Sequence, residues 1–381
     1  MKMSRRTLVA LSCTALLPAC GTEQAAEAHI LSTGKVPSLS TTVAGWSFRH
    51  AAAVGGADAP PAALLNGVIG DVVEDADGRF YVLNFGDKRL LAFDRLGRHL
   101  WSAGKPGRGP GEFQVPAAAA VAGGALYVLD PQSGGLSQFH RATGAYQRSV
   151  PLERGLGYPM DLKSGDGRTL LVKFEPVQGM RGGSRPRVMR VAVPGGRATP
   201  LAQLDTLVQV TVAARQGEQR MTRLVEPPFS PQPAWAAAAD GSMLYGNGAR
   251  YEVFRATEQG PRLAFRAAGA AQRVSAADRA AYLRANPVLS QAGVPVRFPE
   301  TKPFYTDLRA DPRGLVWLAL PTSAEQQVWE VRDSSGRKLG EVRTPARTRI
   351  VGISATSIYL VHLDDDDVET VYRFTRQAQG G

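Results

Sequence analysis

Short apolar runs with alternating polar positions follow one another along most of this chain, and turn residues separate them. The clearest case is FYVLN at 80–84, which returns as LYVLD at 126–130, with Phe93 and Phe139 at matching distances behind them. The DG and GG pairs that precede these runs are typical of β-hairpins. Four short antiparallel strands in each unit are the pattern of a propeller blade.

Weaker copies of this unit continue toward the C-terminal end. Their strands are predicted at 160–162, 168–174 and 188–193, at 234–238, 243–245 and 251–254, at 304–308, 315–320 and 328–332, and at 350–353, 357–361 and 371–374. With six copies, the sequence predicts an all-β fold, a six-bladed β-propeller of four-stranded antiparallel blades. The last copy lacks an outer strand, whereas residues 43–48 form a strand without a copy of their own. We therefore expect this N-terminal strand to close the ring and cover its open edges.

One segment interrupts the strand pattern. The stretch VSAADRAAYLRANPVLSQAG (274–293) places Ser275 and Asp278 at capping-box spacing, and a helix-favouring run follows as far as Asn286. The sequence thus predicts a short helical insertion at 275–286. Two interpretations stay open: a surface element that shields apolar area, or a lid over one mouth of the central channel.

The stretch GKPGRGPGEFQVP at 104–116 has the glycines and basic residues of a phosphate-binding loop. Such a loop needs consecutive free backbone N–H groups in front of a helix. Pro106, Pro110 and Pro116 each remove one donor, and an alanine-rich run with a Gly-Gly turn comes next. We interpret the stretch as a crossover from the outer strand of one blade to the inner strand of the next.

The first twenty residues have the pattern of an export signal. A basic start and a short apolar run (7–17) precede the stretch Leu-Pro-Ala-Cys, so we predict a signal peptide at 1–19. This stretch resembles the lipobox of bacterial lipoproteins, which makes Cys20 the expected lipid attachment site. Residues 4–9 resemble a twin-arginine signal, although an ordinary basic segment of the Sec route fits as well.

The leader also determines the predicted location and organisation of the chain. We expect the protein in the bacterial cell envelope, anchored to a membrane by its lipid, with a flexible tether at 20–41 and the propeller at 42–376. Cys13 lies inside the leader, so Cys20 is the one cysteine of the mature chain. A disulfide, a catalytic thiol and a thiolate metal site are therefore excluded.

The charge of the chain is basic but dispersed. The formal net charge is +11, and it comes from scattered arginines rather than from long runs. The densest cluster, at 181–190, is interpreted either as a solvated hairpin tip or as a patch for an anionic partner. Aromatic residues do not alternate with these arginines as they do in a groove for single-stranded nucleic acid. Nucleic acid is therefore not an expected partner.

A family resemblance follows from these residues. The stretch NFGDKRLLAFDRLGRHLWSAGKPGRGPGEFQVPAAAAVAGGALYVLD (84–130) resembles NHL-type repeats, which build six-bladed β-propellers. The mature chain, including KPFYTDLRADPRGLVWLAL (302–320) and its ending at 365–374, is similar to bacterial six-bladed propeller lipoproteins of largely unassigned function. The resemblance implies a propeller class that includes lactonases, lyases and pure binding modules, so it leaves the function open.

Candidate catalytic residues are sparse. The five histidines do not fall at corresponding points of the copies: His29, His50, His99, His140 and His362. We therefore predict no metal site and no cofactor. The run at 364–367 is interpreted as a solvated loop, because four consecutive aspartates cannot converge on one ion. A G-x-S-x-G motif is absent, and no Ser/His/Asp set can be assigned.

Aromatic or polar residues stand at the beginning of several predicted inner strands. The candidate ligand-binding residues are Gln114, Tyr158, Trp235 and Tyr305. In a propeller, such positions surround one mouth of the channel, and amphipathic aromatic side chains suit sugars and peptides. Packing between blades is the alternative use of the same side chains.

These observations favour binding over catalysis. We predict a monomeric, membrane-anchored propeller that acts as a binding or scaffold module for an unidentified protein, peptide or carbohydrate. The alternative is a lactonase-like hydrolase or lyase with its site at the central channel, and the sequence leaves open whether the protein is an enzyme.

Overall fold

The computed structural model describes residues 36–68, 70–177, 185–206, 210–216, 219–287, 296–321 and 326–378. The predicted signal peptide and Cys20 lie outside the described residues. Within these residues, six antiparallel sheets form the blades of a β-propeller, which confirms the predicted fold class. The one helix described here, a short one, is neither long nor apolar enough to cross a bilayer.

Each blade is built from four antiparallel strands that succeed one another from the channel to the rim. Two strands precede the blades, β1 (Ser40–Thr41) and β2 (Trp46–Gly55). Blade 1 consists of β3 (Val73–Glu74), β4 (Phe80–Asn84), β5 (Arg89–Phe93) and β6 (His99–Ala103), and blade 2 of β7 (Ala118–Ala122), β8 (Ala125–Asp130), β9 (Gly135–Phe139) and β10 (Tyr146–Pro151). Blade 3 consists of β11 (Tyr158–Lys163), β12 (Leu170–Glu175), β13 (Arg187–Val191) and β14 (Ala198–Gln203).

The second half of the ring follows the same scheme after one extra hairpin, β15 (Val210–Gln216) and β16 (Gln219–Val225). Blade 4 consists of β17 (Ala234–Ala237), β18 (Met243–Gly246), β19 (Glu252–Thr257) and β20 (Gly260–Arg266). Blade 5 consists of β21 (Asp307–Ala310), β22 (Val316–Ala319), β23 (Gln326–Arg332) and β24 (Lys338–Pro345). Blade 6 contains β25 (Thr348–Ile353), β26 (Ser357–Leu363) and β27 (Glu369–Ala378), and β2 is its outer strand.

The core lies between neighbouring blades. In β4, the ring of Phe80 is 5.1 Å from that of Tyr359 in blade 6, whereas the adjacent Tyr81 packs in a cluster with Phe139 of blade 2. Successive side chains of a strand point to opposite faces of its sheet. The central strand β4 is buried at every position, so it packs against both neighbouring blades and leaves no apolar face in solvent.

Strand β2 closes the ring, as the sequence predicts, but it lies further along the chain than expected. It pairs with β27 from Trp46–Ala378 to Gly55–Thr370, whereas the prediction placed the strand at 43–48. The difference arises because Ala52, Ala53 and Val54 are all buried. This half of the strand lacks the apolar and polar alternation by which strands are recognised in a sequence.

Among the strands of the described residues, β1 and the β15–β16 hairpin fall outside the repeat. Strand β1 adds a fifth strand to blade 5 by pairing with β24. The hairpin β15–β16 stands between blades 3 and 4 as a separate two-stranded sheet. Neither element has a counterpart in the other copies, so the repeat does not predict it.

The predicted helical insertion is helix α1 (Ala276–Ala285), and its capping box is present. The Ser275 hydroxyl accepts a hydrogen bond from the Asp278 N–H at 3.1 Å, and the Asp278 carboxylate accepts one from the Ser275 N–H at 2.9 Å. Helix α1 is held by Lys302, whose Nζ is 2.7 Å from Asp278 Oδ1, and by Tyr282, whose hydroxyl donates to the Glu226 carbonyl. It thus lies against loops that lead into β17 and β21.

The glycine-rich stretch at 104–116 connects β6 to β7, as predicted. Asp130 Oδ2 accepts the N–H groups of Gln114 and Val115 at 2.6 and 3.1 Å, and Glu112 accepts that of Gly109 at 2.8 Å. The donors that a phosphate would need are therefore used by carboxylates of the protein itself.

Candidate functional site

The central channel is bordered by the inner strands of the blades. Each inner strand stands at the end of its sheet and pairs with one neighbour: β3, β7, β11, β17, β21 and β25. Backbone N–H and C=O groups on the other edge have no strand partner. The channel is consequently polar even where its side chains are alanine, valine or glycine.

A cavity of about 390 Å³ occupies this channel, and all six inner strands contribute to its wall. The wall also includes turns that follow the inner strands, among them Gly124, Gly167, Pro312 and Ser354. The cavity therefore lies toward the end of the channel at which the inner strands turn back into the blades. Its volume is within the usual range for small-molecule sites.

Three charged side chains from alternate blades meet at this cavity. Asp71, just before β3, has Oδ1 2.7 Å from Arg309 Nη1 and Oδ2 2.8 Å from Lys163 Nζ. Lys163 ends β11 in blade 3, and Arg309 lies in β21 in blade 5. Because their partner belongs to blade 1, the ion pairs extend across the lumen. We call Asp71, Lys163 and Arg309 the channel cluster.

Each cation of the channel cluster has a second acidic neighbour on its own strand. Asp161 Oδ2 is 3.5 Å from Lys163 Nζ, and Asp307 Oδ2 is 3.6 Å from Arg309 Nε. Positions two apart in a strand share a face, which accounts for both contacts. Lys163 Nζ is also 5.3 Å from the centre of the Trp235 ring, which borders the same cavity.

The electrostatics of the channel cluster keep all three groups charged. Burial alone would raise the pKa of Asp71, but the charges of Arg309 and Lys163 outweigh it and hold that pKa well below its usual range. Burial would lower the pKa of Lys163, but Asp161 and Asp71 raise it above its ordinary value. Burial likewise opposes the charge of Arg309, and Asp71 and Asp307 raise its pKa. None of the three groups exchanges a proton near neutral pH.

Two further acids of the cavity wall, Glu74 and Asp75, form hydrogen bonds or ion pairs with groups outside the channel cluster. Glu74 accepts a hydrogen bond from the Tyr359 hydroxyl. Asp75 caps the turn after β3, accepts the Tyr81 hydroxyl at 2.7 Å and pairs with Arg141 at 2.8 Å. These carboxylates stabilise the turn and the packing of blades 6, 1 and 2.

Two of the predicted site residues lie away from the cavity. Gln114 is half-buried in the crossover, where its Oε1 accepts from Arg108 Nε at 3.0 Å. Tyr158 begins β11, and its hydroxyl accepts from Gln132 Nε2 at 2.8 Å. Neither side chain contributes to the cavity wall that the structure describes.

The other two predicted residues are buried. Trp235 borders the cavity but is only 6% exposed, and it packs among Met243 and other side chains of blades 3 and 4. Tyr305 is 0% exposed, and its hydroxyl donates to the Glu252 carbonyl at 2.8 Å. The structure therefore does not bring the four residues together at one mouth. Ligand binding at Gln114, Tyr158 and Trp235 stays a prediction, and Tyr305 has the environment of a core residue.

The sequence carries a signal for the channel cluster that the aromatic pattern obscured. Residues 161–163 are Asp-Leu-Lys and residues 307–309 are Asp-Leu-Arg, each within an inner strand that is otherwise mostly apolar. In blade 1 the corresponding stretch begins with Asp71 and continues with two valines. Charged residues that recur at one point of a repeat indicate a shared position in the ring.

The described residues contain no group of three or more His, Cys, Asp or Glu side chains that is arranged to hold a metal ion. His362, the histidine nearest a predicted central strand, lies in β26, where its Nδ1 is 2.8 Å from the Thr348 hydroxyl. His50 packs between the rings of Tyr372 and Phe374. Both histidines have packing or hydrogen-bonding roles inside blade 6.

No protein-family model matches this chain. No curated protein matches it either. Among solved structures, a gluconolactonase from Xanthomonas campestris is 12% identical with a TM-score of 0.50, over 91% of this chain and 97% of that one. A protein from Bacteroides fragilis is 9% identical with a TM-score of 0.52, over 92% and 100% of the two chains. At these identities the likeness shows the propeller fold alone.

Proposed function

We propose that this protein is a binding module of the bacterial cell envelope and that its ligand occupies the central channel. The observation that carries this proposal is the channel cluster, in which three blades place Asp71, Lys163 and Arg309 together at the wall of a cavity. A partly buried ion pair contributes little to stability, because desolvation of the charges offsets their attraction. A cluster of this kind at a cavity is therefore better explained by recognition of a polar ligand.

The same electrostatics support binding rather than catalysis. A general acid or base is most effective when its pKa lies near the working pH. In the channel cluster, the pKa of Asp71 is lowered and those of Lys163 and Arg309 are raised, so each is moved away from neutrality. Fixed charges of this kind orient and hold a ligand. The hydrolase or lyase alternative would need a proton-transfer group that these three residues do not supply.

A substitution that fills the channel tests the proposed site. Val121 borders the cavity and is half-buried, whereas Val115 is 37% exposed in the crossover. We expect Val121→Trp to abolish the rise in melting temperature that small carboxylates, monosaccharides or short peptides produce in the unchanged protein. The matched variant Val115→Trp should keep that rise. Ligands that stabilise both variants equally would place binding outside the channel.

The envelope location rests on the leader and on Cys20, outside the described residues. We expect Cys20→Ser to move the protein from the membrane fraction to the soluble fraction, because lipid chains would supply the membrane affinity. Fractionation followed by mass spectrometry of the N-terminal peptide measures both location and modification. A Cys20→Ser protein that stays in the membrane fraction and is still processed before residue 20 would contradict lipidation.

A further inference from the structure

We propose that the channel ligand carries a carboxylate, which replaces the Asp71 side chain between Lys163 and Arg309. This inference rests on the proposed function and specifies the ligand class for the same site. The channel then contains a complete carboxylate-binding site, and in the structure described here a side chain of the protein occupies it.

The geometry of the channel cluster is that of a bound carboxylate. Each oxygen of Asp71 faces a different cation, Oδ1 at 2.7 Å from Arg309 and Oδ2 at 2.8 Å from Lys163. Both distances are typical of charge-assisted hydrogen bonds. A free carboxylate has the same planar pair of oxygens, so it matches both cations without rearrangement of blades 3 and 5.

Asp71 is the member of the cluster that is most easily exchanged. If it leaves, Lys163 and Arg309 keep Asp161 and Asp307 as neighbours on their own strands. A ligand carboxylate that takes its place leaves the total charge of the site unchanged. Neither cation is left without an acidic neighbour at any point of the exchange, which limits its electrostatic cost.

The backbone at Asp71 also favours its release. It precedes β3, an inner strand of only two residues, whereas β11 and β21 have six and four. Short pairing leaves few ladder hydrogen bonds to hold the segment. Gly70, at φ +70°, gives the chain conformational freedom on one side, and the N–H of Val72 donates to the Val351 carbonyl on the other. Asp71 can therefore move by a change in the backbone dihedral angles at Gly70, while the hydrogen bond of Val72 stays in place.

The wall provides further contacts for a ligand larger than the Asp71 side chain. Ser164, next to Lys163, has a buried hydroxyl without a hydrogen-bond partner in the structure. Ser164 and Lys163 border the cavity, together with the apolar residues Leu162, Val121 and Trp235. The site thus suits a small organic carboxylate whose body packs against apolar side chains while its acid group binds the two cations.

Chemical rescue tests this proposal. We expect Asp71→Ala to melt at a lower temperature than the unchanged protein in chloride, and acetate at equal ionic strength to restore the melting temperature in a saturable way. Acetamide, which has the same shape without the charge, should restore nothing. The acetate dissociation constant should be about tenfold lower for Asp71→Ala than for the unchanged protein, because an attached competitor acts at millimolar or higher effective concentration.

Controls assign the effect to the channel cluster. Glu258→Ala removes an acid whose ion pair with Arg190 lies at the protein surface. Acetate should shift the melting temperature of this variant no more than it shifts that of the unchanged protein. Adding Lys163→Met to Asp71→Ala should abolish acetate binding. If Asp71→Ala does not fold, Asp71→Asn keeps the shape and removes the charge, and ¹³C NMR of labelled acetate then measures the same binding.

Three outcomes would overturn the inference: no effect of acetate, equal rescue by acetamide, or equal rescue by inorganic phosphate, which would indicate a general anion site. The proposed function is tested separately by Val121→Trp. If uncharged ligands bind the unchanged protein and not Val121→Trp, while acetate does not bind Asp71→Ala, then the channel site stands and the carboxylate class is refuted.

Discussion

A chain that begins after Gly55 is expected to lose its cooperative thermal transition and to aggregate. This truncation removes β2, in which Ala52, Ala53 and Val54 are 1%, 0% and 0% exposed, and it uncovers the edge of β27. The loss of apolar burial at about 25 cal/mol per Å² and of the ladder hydrogen bonds together costs several kcal/mol. A chain that begins at residue 40 keeps both N-terminal strands and should melt like the full mature chain. Circular dichroism and sedimentation measure the two outcomes.

A disulfide between β2 and β27 should have the opposite effect and raise the stability of the protein. Ser47 in β2 and Gln377 in β27 are paired positions. In a Cys20→Ser background, Ser47→Cys with Gln377→Cys should form a disulfide that adds 2–4 kcal/mol to the free energy of unfolding, roughly the usual gain for such a bond. The reduced protein is the control. If the truncated chain melts normally and the oxidised pair adds nothing, the ring is closed without β2.

Much of the fold is encoded locally and was therefore predictable. Hairpin turns such as Asp77-Gly78 and Gly123-Gly124 and the alternation around them define the strands of blades 1 and 2 without any long-range information. The helix at 276–285 was predictable for the same reason, since Ser275 and Asp278 cap it from within one turn. Strand β1 and the β15–β16 hairpin were not, because a repeat contains no information about elements that occur once.

The site was less predictable, because its members are far apart in the chain. Asp71 is 92 residues from Lys163 and 238 residues from Arg309, and only closure of the ring brings them together. The candidate aromatic residues all lie near inner strands, but they differ in their position relative to those strands. Tyr305 precedes β21, whereas Trp235 is the second residue of β17. A small difference of this kind moves a side chain from a channel wall to a blade interface.

The buried position of Tyr305 leads to the second large expected effect. Tyr305→Ala should lower the free energy of unfolding by about 3–5 kcal/mol, the usual cost of truncating a large buried aromatic side chain. Tyr305→Phe keeps the ring and removes only the hydrogen bond to the Glu252 carbonyl, so it should cost about 1 kcal/mol. The ring is closely fitted, because a Cβ placed on Gly246 would lie 1.9 Å from the Tyr305 hydroxyl oxygen.

A substitution at Trp235 distinguishes the contribution of this side chain to packing from its contribution to ligand binding. Trp235→Phe keeps an aromatic side chain in the blade 3–4 core but changes the cavity wall beside Lys163. We expect it to weaken binding of a channel ligand, whereas Tyr305→Phe, at the blade 4–5 interface, should leave that binding unchanged. Denaturant unfolding and ligand-induced shifts in melting temperature measure the two effects separately. A Tyr305→Ala protein as stable as the unchanged chain would contradict its place in the core. In that case Tyr305 would again be a candidate for the binding mouth.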